Sequence, residues 1–197
     1  LRPLTQSHTK DLFANLSGPS NDHLYKYLSS GPFNDLESFT KQIQWFIDAP
    51  DLYATAGEVT AVSIICLLNI VPSNRSIEIG HVMYAPTLQR TTAATAAYYL
   101  LMKLCFEDLH YLRVEWKCND RNKPSERAAL RLGFKYEGTF RKHMIIKGRR
   151  RDSAWFSVLD EEWNEVVGKS LEAWLGEGNF DEKGGQKRKL EDVREDV

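Results

Sequence analysis

An α/β (α+β) fold, helices first and then a sheet interleaved with helices, is predicted for this 197-residue chain. Three observations predict it. Leu36, Phe39, Ile43, Phe46 and Ile47 recur at helical spacing near the start. The β-branched runs Val59 to Val71 and Ile77 to Tyr84, split by Pro72-Ser73-Asn74-Arg75, read as a β-meander. After them the pattern alternates as helix, strand, helix, strand, strand and helix.

Each element follows from local chemistry. Leu1 to Leu4 suits a short strand, and Ser7 or Thr9 caps a helix to about Leu16, broken by Gly18-Pro19-Ser20-Asn21-Asp22. A helical piece from His23 to Leu28 ends at Ser29-Ser30-Gly31-Pro32, and Asn34 or Asp35 opens the next helix, which Pro50 closes. The apolar density of Val62 to Leu68 marks a central strand of the meander that ends at Tyr84. Arg90 to Leu109, rich in Ala and Leu, is a helix; Leu112 to Cys118 is a strand; Ser125 to Leu132 is a helix stopped by Gly133. Lys135 to Lys147 and Asp152 to Leu159 pair as antiparallel strands across Lys147-Gly148-Arg149-Arg150-Arg151, a run read first as a solvated turn, with Arg149, Arg150 and Arg151 as binders of a phosphate or an acidic group the other reading. Glu161 to Leu175 is an amphipathic helix carrying Trp163, Val166, Val167, Leu171 and Trp174. One domain over residues 1–176 is expected, with 177–197 a charged, disordered tail.

Composition narrows the function. Acidic and basic residues nearly cancel at a formal charge of −1, so no global field gathers nucleic acid or an anionic membrane. Cys66, Cys105 and Cys118 are far apart and lie in apolar settings, as expected of buried reduced thiols in an intracellular protein. No apolar run is long enough for a membrane span, no metal-ligand spacing occurs, and a cytoplasmic protein is expected. Lys187-Arg188-Lys189 is a weak basic cluster that keeps a nuclear address open.

The chemistry concentrates between Ile77 and Phe134. A strand ending near Tyr84 feeds a helix that opens at Gln89-Arg90-Thr91-Thr92-Ala93-Ala94. Free amides at such a helix start, positive by the helix dipole, suit a pyrophosphate. Glu78-Ile79-Gly80-His81-Val82, Pro86 with Gln89 to Ala94, Asn122 with Ser125, Leu132-Gly133-Phe134, Tyr136-Glu137-Gly138, and Gly148 to Asp152 before Trp155 resemble, in order and spacing, the GNAT (GCN5-related N-acetyltransferase) superfamily and its RimJ/RimL-like group.

The resemblance implies a mixed, mostly antiparallel sheet of about seven strands with a V-shaped splay between the fourth and fifth, and acetyl-CoA as co-substrate with no metal. It implies that the amides of Gln89, Arg90, Thr91, Thr92, Ala93 and Ala94 hold the pyrophosphate. Thr92 stands where the family has its first glycine, and the Thr91 and Thr92 hydroxyls are expected to donate to phosphate oxygens. Pantetheine is implied to lie in the splay, bonded to the backbone of Val82 and Tyr84, with Asn122 on its arm and Ser125 near the sulfur; Asn122 or Ser125 as a plain helix cap is compatible with this.

Acetylating an amine takes a base for the ammonium proton, a donor for the developing oxyanion and a proton for the leaving thiolate. Glu78 and His81 are the candidate bases, Glu78 slightly favoured and Glu115 third. Their odd separation points them to opposite faces unless a bulge intervenes. The Val82 amide is the expected oxyanion donor. Ala129 occupies the place where many members carry a tyrosine acid, so Ser125, with Tyr136 in reserve, is the expected proton donor. No cysteine suits a nucleophile, and direct transfer through a ternary complex is expected, to a small-molecule amine or a protein N-terminus, in a monomer or homodimer. A GNAT-like module that binds acyl-CoA without turnover is the alternative, and an interaction domain with a lost cofactor site is a second.

Overall fold

The computed structural model describes residues 1–50, 52–56 and 60–197. Val59, where the first β-branched run was expected to begin, lies outside them. A seven-stranded sheet in the order β1-β2-β3-β4-β5-β7-β6 runs through β1 (Arg2–Pro3), β2 (Leu52–Ala56), β3 (Ser63–Val71), β4 (Ser76–Tyr84), β5 (Arg113–Asn119), β6 (Lys135–Ile146) and β7 (Arg149–Leu159). All neighbours are antiparallel except β4 and β5, which are parallel because helix α3 (Thr92–Lys103) carries the chain back between them. β4 and β5 pair only at Ser76, Ile77 and Glu78 with Arg113, Val114 and Glu115. Beyond that the rest of β4 stays with β3 and the rest of β5 with β7, so the sheet splits into a V.

Two apolar layers clamp the sheet. Helices α1 (Thr9–Leu16) and α2 (Leu36–Asp48) bury Leu12, Leu16, Phe39, Ile43 and Phe46 against one face. α2 begins where Asp35 accepts the Ser38 amide at 2.7 Å. On the other face α3, α4 (Lys123–Leu132) and the helical run 160–175, made of α5 (Asp160–Glu162), a wide turn at Trp163–Val167 and α6 (Gly168–Leu175), bury Tyr98, Leu101, Met102, Leu132, Trp163, Leu171 and Trp174.

Several boundaries differ from expectation. Arg90 has φ +63°, so α3 begins at Thr92, and it widens into a π-type turn after Lys103. α4 starts at Lys123 because Asn122 caps it and Pro124 suits the first turn. The β6–β7 connection is only Lys147-Gly148, both at positive φ, the twist a two-residue hairpin needs; Arg149 to Arg151 therefore belong to β7 and are no turn.

The tail is not a disordered appendage. Helix α7 (Leu190–Arg194) buries Leu190 and Val193 in the α3–α6 layer, and the Arg194 guanidinium donates to the Arg131 carbonyl. The Trp174 indole donates to the Arg188 carbonyl at 3.1 Å, so the Lys187-Arg188-Lys189 cluster is part of this clasp. Val193→Ala is expected to cost about 1–2 kcal/mol, read as a lowered unfolding midpoint; an unmoved midpoint would mean that the segment contributes nothing to the core.

Candidate active site

The V opens into a cleft of about 1140 Å³. One wall is β4 from Glu78 to Tyr84, the other is β5 from Trp116 to Asn119 with the start of α4, and the β6–β7 hairpin and the 23–29 segment close the α2 side. Val82, Tyr84, Gln89, Asn122 and Ser125 line it, as do both candidate bases. Arg90, Thr92 and Ala93 lie exposed beyond its end at the opening of α3, Thr91 half-buried and Ala94 buried beside them.

The start of α3 is partly self-capped. The Thr91 hydroxyl accepts the Ala94 amide at 3.2 Å and donates to the Leu88 carbonyl at 2.7 Å, so it is engaged by its own loop and is not the free donor expected for a phosphate. The Thr92 and Ala93 amides, first in the helix, have no intrahelical acceptor. The Gln89 side chain donates to the Tyr84 carbonyl at 2.9 Å and ties the loop to the end of β4. Tyr84, Tyr98 and Trp116 pack as tilted rings along the cleft wall, with centroids 5.7 and 5.2 Å apart. Burial pushes both phenols above their ordinary values, so they stay protonated.

On the β5 side, Ser125 accepts the Trp116 indole N–H at 3.0 Å, which fixes its oxygen and leaves its own proton to donate. Asn122 Oδ1 accepts the Ser125 amide at 3.4 Å: the capping role is real, and the side-chain amide nitrogen stays available. Cys118 lines the same wall, its thiol pushed up by burial, and burial raises Cys105 to about 12. Tyr136 is exposed, its hydroxyl 2.8 Å from that of Thr139, and it is not among the cleft walls.

The β4 wall carries the bulge on which the parity of the two candidate bases depended. Cys66 faces Gly80 and Ile64 faces Met83, so His81 and Val82 together oppose Ile65, and His81 takes φ +47°. This β-bulge turns His81 onto the α2 side, its ring 5.4 Å from Phe46 and 6.1 Å from Trp45. Glu78 is on that side too, sharing the face of its partner Leu68 while Ile77 and Ile79 enter the opposite layer. The two candidate bases therefore flank one space, differently equipped. Glu78 Oε2 takes the Asn69 amide at 2.6 Å and Lys117 Nζ at 2.9 Å, with its side chain only 7% exposed. Burial raises its carboxyl despite Lys117. Burial and then Arg151 lower the His81 imidazole, which favours its neutral form.

Lys117, Asn69 and His143 escaped the sequence reading, whereas Arg151 and Trp155, favoured there as turn charge and core, line the cleft. Lys117 bridges Glu78 and Glu115, both at 2.9 Å, and sits 3.8 Å above the Trp155 ring. Glu115 continues to Arg113 at 2.9 Å and Arg113 to Glu137 at 2.7 Å, so this third candidate base is committed to a charge ladder across the sheet. The period-two spacing of Arg113, Glu115 and Lys117 was the available signal. Among the described residues, no group of three or more His, Cys, Asp or Glu is placed to hold a metal, and no helix is long and apolar enough to cross a membrane.

Comparison with known proteins agrees with this geometry. A crystal structure of a GCN5-related N-acetyltransferase from Brucella melitensis superposes with a TM-score of 0.93 at 38% identity, over 98% of this chain and 90% of that one. Two proteins of Bacillus subtilis, the uncharacterized N-acetyltransferase YnaD and the putative ribosomal N-acetyltransferase YdaF, are 33% identical over 88 residues and 32% over 99. Those alignments span 44% and 50% of this chain and 51% and 54% of the relatives, so the chain spans about half the length of each. The family model of the acetyltransferase (GNAT) domain matches residues 1–135. A parallel β4–β5 pair that splits into a cleft, a bulged β4 and these likenesses converge: the chain belongs to the GNAT acetyltransferase family.

Proposed function

We propose that this protein is a RimJ/RimL-like N-acetyltransferase that moves an acetyl group from acetyl-CoA to a primary amine within a ternary complex. The observation that carries the reading is the bulge at His81, which brings the His81 imidazole and the Glu78 carboxylate to one side of the open V, with Ser125 on the opposite wall. Acetyl-CoA would supply an activated acyl group: the amine nitrogen bonds to the thioester carbonyl carbon, the carbon–sulfur bond breaks, the amine loses one proton and the sulfur gains one.

The chain's own groups suit each task. The Val82 and Tyr84 backbone faces the V without a β5 partner and can pair with an extended arm, aided by Asn122; the Thr92 and Ala93 amides with the Thr92 hydroxyl can hold its diphosphate. An amine of pKa roughly 10 must lose a proton to react. We place His81 ahead of Glu78 as acceptor of that proton, because Glu78 is already neutralised by Lys117 and fixed by Asn69. The Val82 amide serves the developing oxyanion and the Ser125 hydroxyl the leaving sulfur. Direct transfer fits the raised Cys118 thiol, a poor nucleophile while protonated. The name of YdaF keeps a protein N-terminus among the acceptors to be tried.

Free-thiol release from acetyl-CoA across an amine panel tests the reading; saturable binding with no release for any amine would favour an acyl-CoA-binding module. Thr92→Glu is expected to weaken coenzyme A binding about tenfold by repulsion at an exposed site, read as a smaller ligand-induced rise in melting temperature, and an unchanged rise would move the diphosphate elsewhere.

A further inference from the structure

The α2 side of the cleft is lopsided in charge. Lys26, Lys117 and Arg151 line it together with His23, His81 and His143, whereas Glu78 is the one carboxylate among its described walls. Glu78 and Lys117 cancel as an ion pair, so Lys26 and Arg151 are the charges that make the wall positive to whatever enters. Arg151 stands apart. Arg149 and Arg150 are exposed, but Arg151 is half-buried, makes none of the ion pairs among the described residues, and donates from Nε to the Ser153 hydroxyl at 3.0 Å. Its terminal nitrogens have no protein acceptor among those residues. Its charge also reaches Glu78, Cys118 and His81, which locates it beside the centre of the cleft.

A guanidinium drawn into a cleft without a counter-ion loses hydration that only an anion restores well, and its planar fork matches a carboxylate. We propose that the acceptor is an amine that also bears a carboxylate, and that Arg151 selects it by pairing with that group. This rests on the acetyl-transfer reading. The same positive wall repels a polyamine and favours the unprotonated, nucleophilic form of the acceptor's amine. A carboxylate-bearing amine can be an amino acid or a peptide with an acidic first residue; the shared chemistry is an amine and an anion on one molecule.

The test compares matched pairs: β-alanine against β-alaninamide, and the peptide amides Glu-Ala-Ala against Gln-Ala-Ala, with spermidine as the cationic control. The carboxylate member of at least one pair should have the higher kcat/KM by about tenfold or more, the effect of one charge-assisted hydrogen bond, and the winning pair tells amino acid from peptide. Arg151→Gln should collapse that ratio toward one, chiefly through KM, and Arg151→Lys should restore part of it. Neutral amines or spermidine acetylated as well as the acids, or a preference that survives Arg151→Gln, overturns the proposal and leaves acetyl transfer standing. A loss of coenzyme A affinity in Arg151→Gln that vanishes with dephospho-coenzyme A gives the residue to the cofactor's 3'-phosphate and likewise overturns it. Acetyl-CoA binding without acetylation of any amine overturns both readings.

Discussion

His81→Asn is expected to lower kcat on the order of 10²–10³-fold with little change in coenzyme A affinity, the loss typical when a positioned base is removed. Asparagine is the apt replacement because it tolerates the left-handed backbone of the bulge, at φ +47°, so the strand keeps its shape while the proton acceptor goes. The pH profile gives the sign. Burial and Arg151 hold the imidazole below the ordinary histidine value, so the neutral, active form persists into mildly acidic solution, and kcat/KM should rise along a limb set below that value. The limb should vanish in His81→Asn. A limb that survives there and disappears in Glu78→Gln transfers the role to the carboxylate.

Lys117→Met is expected to destabilise the fold by about 3–5 kcal/mol, the cost of removing one partner from a buried ion pair. Lys117 and Glu78 expose only 13% and 7% of their side chains, and the lysine also serves Glu115 and the face of Trp155. Burial already raises the Glu78 carboxyl, and losing the lysine raises it further. A group whose folded pKa lies above its unfolded value favours folding below the unfolded value and ceases to do so as pH rises through the folded one. The defect should therefore be small in acid, where Glu78 is protonated, and grow toward neutrality. Chemical unfolding of the variant at several pH values reads this directly, and a deficit independent of pH would mean that the pair is not what holds the two strands. Adding Glu78→Gln should recover part of the loss.

Legibility in the sequence followed the range of the interactions. The cap at Asp35 and the stop at Gly133 depend on neighbours a few residues away, and local chemistry sufficed for them. The Thr91 hydroxyl was misassigned to a ligand because its two local partners, Leu88 and Ala94, depend on where the helix begins, and Arg90's positive φ sets that. The tail read as disordered because Leu190 and Val193 are two apolar residues in a polar stretch; their burial comes from a groove built by distant helices. Arg151 read as turn charge because a triple arginine run conceals which residue the hairpin's register turns inward.

By itself the sequence determined the order of elements, the meander and the residue types around a GNAT-like cleft, since these rest on short-range propensity and spacing. Tertiary structure alone decided which side of the sheet His81 and Glu78 share, which two carboxylates Lys117 bridges and which arginine faces the cleft. The reason is geometric. One extra residue in β4 reverses the alternation for everything after it, and pairing between charges 39 residues apart depends on the register of strands that no local pattern specifies.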